Sequence, residues 1–306
     1  MESIRREKEP LVSVVVITYN SSKTIIETLE SIRTQTYQNV ELIVTDDCSK
    51  DNTVEIVKAW FDSYIDKFVH AEIIVNGKNA GVSANVNRGF SKSCGEWIKP
   101  IAGDDKLLPN CITDFVDYVN ANPKSNIVFS KVVGFGNEDA AAKWPYLNVK
   151  RYFEAFDSKQ FRIILSVQNF LPAPSVLIRK CVWEKVGGYN ENIPLLEDWP
   201  FWVKVLRRGF CFDFLDKETV GYRFSEMSIS QGVKPLSDVY LESNEKATAY
   251  ANKSLKSIGL SYRYLDFIMR LYHCNHIPFR RKVRLLNIFN PALYKYENTL
   301  KQFSQM

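Results

Sequence analysis

Apolar positions early in the chain switch between two periods, and the switches mark out strands and helices. Residues 11–17, LVSVVVI, are β-branched and nearly continuous, the pattern of a strand buried on both faces at the centre of a parallel sheet. Ser21 or Ser22 stands where a cap would open a helix, and Ile25, Ile26, Leu29 and Ile32 recur at helical spacing as far as about Gln35. VELIVT, 40–45, repeats the strand pattern. Asp51-Asn52-Thr53 leads into a helix carrying Val54, Ile56, Val57, Trp60 and Phe61; the strand AEIIV and a helix over 82–93 follow. A fourth strand, EWIKPIA, ends at Gly103-Asp104-Asp105, and Leu108-Pro109 opens another helix. Such alternation predicts right-handed βαβ crossovers and a doubly wound, mainly parallel α/β sheet flanked by helices.

Further on, NIVFSKVVGFG reads as a strand, 137–155 as a loop rich in polar and aromatic residues, and PSVLIRK as a strand. CVWEKVGG and EDWPFWVKVLRRG read as helices, and CFDFL and ETVGYRF as two short strands. From about Leu236 the pattern turns helical and polar, so the expected division is a main domain over 1–235 and a helical C-terminal extension over 236–306.

Composition narrows the function. With 306 residues, 45% hydrophobic and 25% charged, the chain can bury a large core. Its net charge of +5 is small for a nucleic-acid binder, and that excess lies beyond His276, where Arg280, Arg281, Lys282, Arg284, Lys295 and Lys301 face one acid, Glu297. No leader-like stretch follows the charged N-terminus, no run of eighteen apolar residues occurs, and six cysteines stand singly. The expectation is a cytoplasmic protein with reduced thiols, meeting a membrane only at its surface.

In open α/β sheets ligands bind beyond the carboxyl ends of the strands. Here those ends read Thr18-Tyr19-Asn20, Asp46-Asp47-Cys48-Ser49 and Asp104-Asp105. Neither a dinucleotide glycine fingerprint nor a GxxxxGK[ST] phosphate loop is present, which excludes a dehydrogenase and a P-loop kinase. Acidic strand ends at a phosphate crevice call for a divalent cation between carboxylate and diphosphate. Taken singly, Asp46–Ser49 reads first as an Asx turn with a helix cap, and Gly103-Asp104-Asp105 as an ordinary turn.

Order decides between these readings. VSVVVITYN, VELIVTDDCSKDNT, NAGVSANVNRGF and GEWIKPIAGDDKLLP, in that sequence, resemble the inverting glycosyltransferase family 2, which adopts the GT-A fold, over residues 11 to about 230. The resemblance implies a nucleotide-sugar donor, UDP-linked by default, bound with Mn²⁺ or Mg²⁺ near Thr18, Tyr19 and Asn20. It gives Asp47 the nucleobase, Asp105 the metal, and Asp104 the donor sugar or ribose beside that metal. The segment from Asn79 to Gly89 lines the donor site, with Asn85 and Asn87 as amide contacts and Arg88 as a charge for the diphosphate; tight packing of a glycine-started helix is the alternative. Leu195-Leu196-Glu197-Asp198-Trp199 resembles the family's acidic motif beside the acceptor, with Asp198 as general base and Glu197 its neighbour, or else acids favoured in a helix's first turn; Trp199, Phe201 and Trp202 are candidate sugar-stacking rings, some of which must be core.

One string departs from the family. Where many members carry YRxHxxS, this chain reads Tyr222-Arg223-Phe224-Ser225-Glu226-Met227-Ser228, so Ser225 replaces a histidine and Arg223 becomes a diphosphate candidate. His273 and His276 lack a third ligand and read as surface residues. Asp105, as a loop carboxylate, is expected to be replaceable at small cost to the fold. The resemblance further implies assembly of a bacterial surface polysaccharide, capsule or lipopolysaccharide, on a saccharide or lipid-linked acceptor, with no nucleic-acid partner. The run IPFRRKVRLLNIFNPALYKY has the composition of a basic segment lying peripherally on a membrane, or of a terminal helix packed on the domain. The rival readings are a catalytically silent sugar-nucleotide binder and a sugar-nucleotide pyrophosphorylase, whose early glycine-rich basic loop TYNSSKT does not match.

Overall fold

In the computed structural model, residues 9–137, 139, 149–155, 161, 165–166, 169–224 and 238–256 are described. The β-branched runs form β1 (Val12–Thr18) and β2 (Val40–Asp46), fully buried but for Ile17. β3 (His70–Val75) and β4 (Trp97–Ala102) flank them, and all these pairings are parallel. Alternation along β1 splits the core: Val14 and Val16 face one layer, Val15 the other. Helices α1 (Ile25–Arg33), α2 (Thr53–Tyr64) and α4 (Cys111–Ala121) cover the first face with Leu29, Trp60 and Phe115. Helix α3 (Val82–Lys92) covers the second with Val86 and Phe90.

The second half of the sheet is mixed. Strand β7 (Val176–Arg179) pairs antiparallel with β4 and with β6 (Ile127–Gly136), while β8 (Asp213–Phe224) runs parallel to β6. A two-residue strand, β5 (Lys106–Leu107), closes the far edge antiparallel to β8, giving the order β3-β2-β1-β4-β7-β6-β8-β5. The expected mainly parallel sheet is therefore parallel in its first half and mixed beyond β4. Helices α5 (Lys150–Ala155), α6 (Lys180–Val186), α7 (Asp198–Arg207) and α8 (Asp238–Lys256) complete the second layer, where Tyr152, Val182, Trp202 and Ala247 share one core with Phe129.

Several boundaries differ from the sequence pattern for identifiable reasons. α1 starts at Ile25, because the backbone N–H groups of Ser21 and Ser22 donate to Thr53 Oγ1 (2.8 Å) and Asp51 Oδ2 (3.1 Å), and neither serine side chain caps the helix. α4 begins at Cys111, since Lys106 and Leu107 are drawn into the sheet by β8. CFDFL and ETVGYRF belong to one strand: its exposed Asp216-Lys217-Glu218 stretch sits at the register shifts beside Ser130 and Lys131, and this bulge interrupts the apolar pattern. α5 occupies part of the expected 137–155 loop. α8 falls within the stretch expected as a helical extension; its Ala247 and Ala251 are buried in the core of the second layer and its Ser243 Oγ accepts the Leu195 N–H at 3.4 Å. The basic run 277–296, His273, His276 and Ser225 lie outside the described residues. Among the described residues no helix is long and apolar enough to cross a membrane.

Candidate active site

The carboxyl ends of β1, β2 and β4 meet at one edge, as parallel neighbours must. Thr18 and Asp47 are linked by the Asp47 N–H to Thr18 O bond (3.0 Å), and Gly103 N–H donates to Ile17 O (2.9 Å). A Cβ at Gly103 would stand 2.9 Å from Thr18 Oγ1, so only glycine lets the Asp104-Asp105 turn lie this close to β1. Thr18 Oγ1 is buried and lacks a protein partner, whereas Tyr19 presents its ring, 45% exposed. Asn20, at φ 55°, joins the β1 and β2 ends: its N–H donates to Ser49 Oγ (2.8 Å) and its Oδ1 accepts the Lys50 N–H (2.7 Å).

Asp46 and Asp47 have separate duties. Asp46 accepts the Ser49 N–H (2.8 Å) and hydroxyl (2.5 Å), the Asx turn read from the sequence. Asp47, 3% exposed, accepts the N–H groups of Ala80 and Gly81 (3.0 and 2.8 Å at Oδ2) and the Asn76 amide (3.1 Å), fixing the loop that leads into α3. Gly81 takes φ +88°, and a Cβ there would lie 2.9 Å from Pro194 Cβ. Val82 N–H donates to Pro194 O (3.0 Å) and Ser83 Oγ to Ile193 O (2.5 Å), which docks the start of α3 against the loop before α7.

Asn85, expected to line the donor site, stands behind it. It is 1% exposed; its Nδ2 donates to Thr45 O (3.0 Å) and Thr18 O (3.3 Å), and its Oδ1 accepts Thr45 Oγ1 (2.6 Å) and Arg88 Nη1 (3.0 Å). With donors and acceptor engaged, the side chain staples β1 to β2. Asn87 likewise binds the Tyr189 backbone at both amide atoms. Arg88 leans toward Asp47, 3.9 Å from Oδ1.

The Asp104-Asp105 turn is clamped from two sides. Thr24, at the cap of α1, and Thr28, four residues on in the helix, donate their hydroxyls to Gly103 O (2.8 Å) and Asp105 O (2.6 Å). From β8, Arg223 gives its N–H to Asp105 Oδ1 (2.8 Å) and its Nε–H to Asp104 O (2.7 Å), while its Nη2 pairs with Glu27 and its guanidinium lies 4.4 Å from the centre of the Phe135 ring. Arg223, expected at a diphosphate, thus holds the turn in place. Burial raises the carboxyl of Asp104, and burial together with Asp104 raises that of 3%-exposed Asp105 well above its ordinary value. Among the described residues no three His, Cys, Asp or Glu side chains form a metal cluster. The turn offers two adjacent hard carboxylates that burial raises even with Arg223 and Lys99 nearby, a donor set that suits Mg²⁺ or Mn²⁺ sharing its remaining positions with phosphate and water.

Ahead of α7, Leu196 at φ 59° turns the chain sharply, so that Glu197 precedes and Asp198 opens the helix. Asp198 accepts the Trp199 N–H at Oδ1 (2.7 Å) and the Asn169 amide at Oδ2 (2.8 Å). Burial, with Asp198 beside it, pushes Glu197 up to about 8, and burial raises Asp198 too, against the hydrogen bonds from Asn169 and Trp199. Trp199, Phe201 and Trp202, expected at the acceptor, are all buried; Phe201 stacks on Tyr189 at 4.3 Å and Trp202 meets Phe129 edge-on at 5.1 Å, so they are core.

Residues 13–182, more than half the chain, match the family model described as Glycosyl transferase family 2. The chain belongs to that family. This glycosyltransferase is 28% identical over 257 residues to an uncharacterised glycosyltransferase of Methanocaldococcus jannaschii, covering 81% of this chain and 79% of that one. An uncharacterised glycosyltransferase of Rickettsia felis, 28% identical over 65% of this chain, is longer, and the match spans 32% of it. In fold the glycosyltransferase resembles Staphylococcus aureus TarS 1-349 in complex with UDP-GlcNAc (TM-score 0.58, 19% identity, 93% of this chain and 81% of that one). It also resembles mannosyltransferase PcManGT of Pyrobaculum calidifontis in complex with GDP-Man and Mn²⁺ (TM-score 0.54, 16% identity, 96% and 85%). The expected GT-A fold is the one the glycosyltransferase has. The family match ends before Asp198 and Arg223, so both lie outside it.

Proposed function

We propose that this glycosyltransferase transfers a sugar, with inversion, from a UDP-sugar to a hydroxyl of a saccharide or lipid-linked saccharide. The observation that carries the proposal is the clamped Asp104-Asp105 turn, whose paired, buried carboxyls suit a cation and a diphosphate at the edge where Tyr19 offers a ring for a base. TarS and PcManGT, solved with UDP-GlcNAc and with GDP-Man and Mn²⁺, support a nucleotide-sugar donor. In this reading Asp47 accepts the N3 hydrogen of uracil, and Asp105, helped by Asp104, holds the metal. When bound, Mn²⁺ or Mg²⁺ neutralises the charge growing on the departing diphosphate.

Asp198 takes the acceptor's proton. Its hydrogen bonds from Asn169 and Trp199 favour the ionised carboxylate against the burial that raises it, while burial and Asp198 push Glu197 up to about 8. As the proton leaves, the acceptor oxygen bonds to the anomeric carbon and the bond from that carbon to the diphosphate breaks on the opposite side. One base is enough for such a single displacement.

Thermal shift and calorimetry with UDP, CDP and GDP, each with and without Mn²⁺, test the donor. UDP is expected to stabilise the protein in a Mn²⁺-dependent way and to exceed CDP, which has no N3 hydrogen to offer. Equal affinity for UDP and CDP sinks the Asp47 role, and a preference for GDP redirects the donor. The physiological setting proposed is surface-polysaccharide assembly, with the basic segment 277–296 resting on anionic lipid. Anionic-vesicle sedimentation, lost in a chain ending near His276, supports that contact; equal binding by both chains refutes it.

A further inference from the structure

Asn169 belongs to no motif read from the sequence, yet it supplies the side-chain contact to Asp198. Its amide is held rather than free. Asn169 Oδ1 accepts the Leu171 N–H at 3.2 Å, which leaves Nδ2 as the group facing Asp198 Oδ2 and fixes the orientation of the amide. The next residue, Phe170, is buried and stacks on Tyr152 with ring centres 4.3 Å apart, and meets Phe161 edge-on at 5.2 Å.

The following turn is anchored again at each step. Ser175 returns its N–H (3.0 Å) and hydroxyl (2.8 Å) to Pro172 O, and Ser130 Oγ on β6 donates to Ser175 O (3.0 Å). Lys99 on β4 is 0% exposed and reaches Pro174 O (2.5 Å) and Pro100 O (3.0 Å) with its ammonium. A buried ammonium is costly unless hydrogen-bonded, so these carbonyls and the Lys99 side chain hold one another. β4 is also the strand that ends in the Asp104-Asp105 turn. The segment 169–175 is thereby tied to the same strand as the donor-side carboxylates.

Resting on the reading of Asp198 as the base, we propose that Asn169 is its positioning residue: the anchored amide aims the Asp198 carboxylate and keeps its negative charge on Asp198 rather than on Glu197. The charged and titratable groups around Asp198 are few. Glu197 adjoins it on the approach to α7, and the buried Tyr189 phenol, raised well above its ordinary value by burial and by both carboxyls, remains neutral. Among the described residues no cation neutralises Asp198, so hydrogen-bond donors favour its charge: the Asn169 amide, the N–H groups of Trp199 and Asp198, and the Trp202 indole. With the Asn169 amide gone, Asp198 loses the first of these, and its carboxyl binds its proton more tightly.

Carboxyl-¹³C NMR of aspartate-labelled full-length protein reads this directly, the Asp198 signal being identified by its loss in Asp198→Asn. In Asn169→Ala its midpoint is expected to rise by about one pH unit, the usual weight of one hydrogen bond to a charged group. In Asn169→Asp, which differs from the native side chain by one atom, the added like charge raises it further. UDP affinity with Mn²⁺ is expected to stay at the wild-type level in both variants. An unchanged Asp198 midpoint in a folded Asn169 variant overturns the proposal, as does failure of both variants to fold, which would make Asn169 structural. Full UDP-sugar hydrolysis by Asp198→Asn would instead remove the reading of Asp198 as base while leaving the NMR result intact.

Discussion

Glu197 and Asp198 are adjacent carboxyls separated by what surrounds them. Asp198 accepts the Asn169 amide and the Trp199 N–H, Glu197 beside it has a raised carboxyl, and in the proposed reading Asp198 is the base and Glu197 its neighbour. Asp198→Asn is expected to lower turnover by about 10²–10⁴-fold with donor affinity unchanged, and Glu197→Gln to keep most of the activity, both read in steady-state kinetics. The reverse pattern would move the base to Glu197. Asp105 corrects a sequence-based expectation. It is buried and accepts the Arg223 N–H, so Asp105→Ala orphans a buried donor at a cost of about 1–3 kcal/mol, whereas Asp105→Asn keeps the acceptor and loses only metal-dependent UDP binding. Denaturant unfolding of the two variants checks this; equal stability would show that the hydrogen bond carries nothing. The acids themselves were legible in the sequence, because they end strands in a recognisable order. What Asn85 and Arg223 do was not, because an amide or guanidinium near a site looks the same in sequence whether it faces ligand or backbone. Asn169 and the Thr24–Thr28 pair left no signal beyond ordinary polar residues.

Among elements, the joint between α3 and the loop before α7 ties the loop held by Asp47 to the approach to Asp198. Gly81 sits at φ +88° with Pro194 where a side chain would go. Gly81→Ala therefore meets both backbone strain and a collision, and is expected to cost about 2 kcal/mol or more, visible as a lowered melting temperature and weaker UDP binding. A wild-type melting temperature would mean that Pro194 yields without penalty. Elements built on one clear period, such as β1, β2, α2 and α3, follow the sequence reading closely. Those set by a distant partner do not: β5 is two residues long and exists because β8 pairs with it, and β8 hides its continuity behind the exposed Asp216-Lys217-Glu218 bulge. The aromatic run in α7 looked like a sugar platform, and only packing against Tyr189 and Phe129 reveals it as core.

At the scale of the molecule, the raised carboxyls give stability a direction with pH. Asp104, Asp105 and Glu197 all bind protons more tightly folded than unfolded. Their contribution is complete below the ordinary carboxyl values near 4 and is lost as pH rises; for Glu197 the loss runs from about 4.5 to about 8. The metal-free protein should thus lose melting temperature from pH 5.5 to pH 8, and Mn²⁺ with UDP should restore more at pH 8 than at pH 5.5. A stabilisation by Mn²⁺ and UDP independent of pH would exclude Asp104 and Asp105 as its seat. The clamp on these acids also has a consequence in time. Asp105 is completed by the N–H of Arg223, a residue 118 positions later, and β5 waits on β8 for its only strand partner. A ribosome must therefore deliver nearly the whole catalytic domain before the Asp104-Asp105 turn can set. The early parallel strands can assemble first, but an emerging chain that stops short of residue 213 should ignore UDP and Mn²⁺, so that the first grip on donor reports a finished cleft.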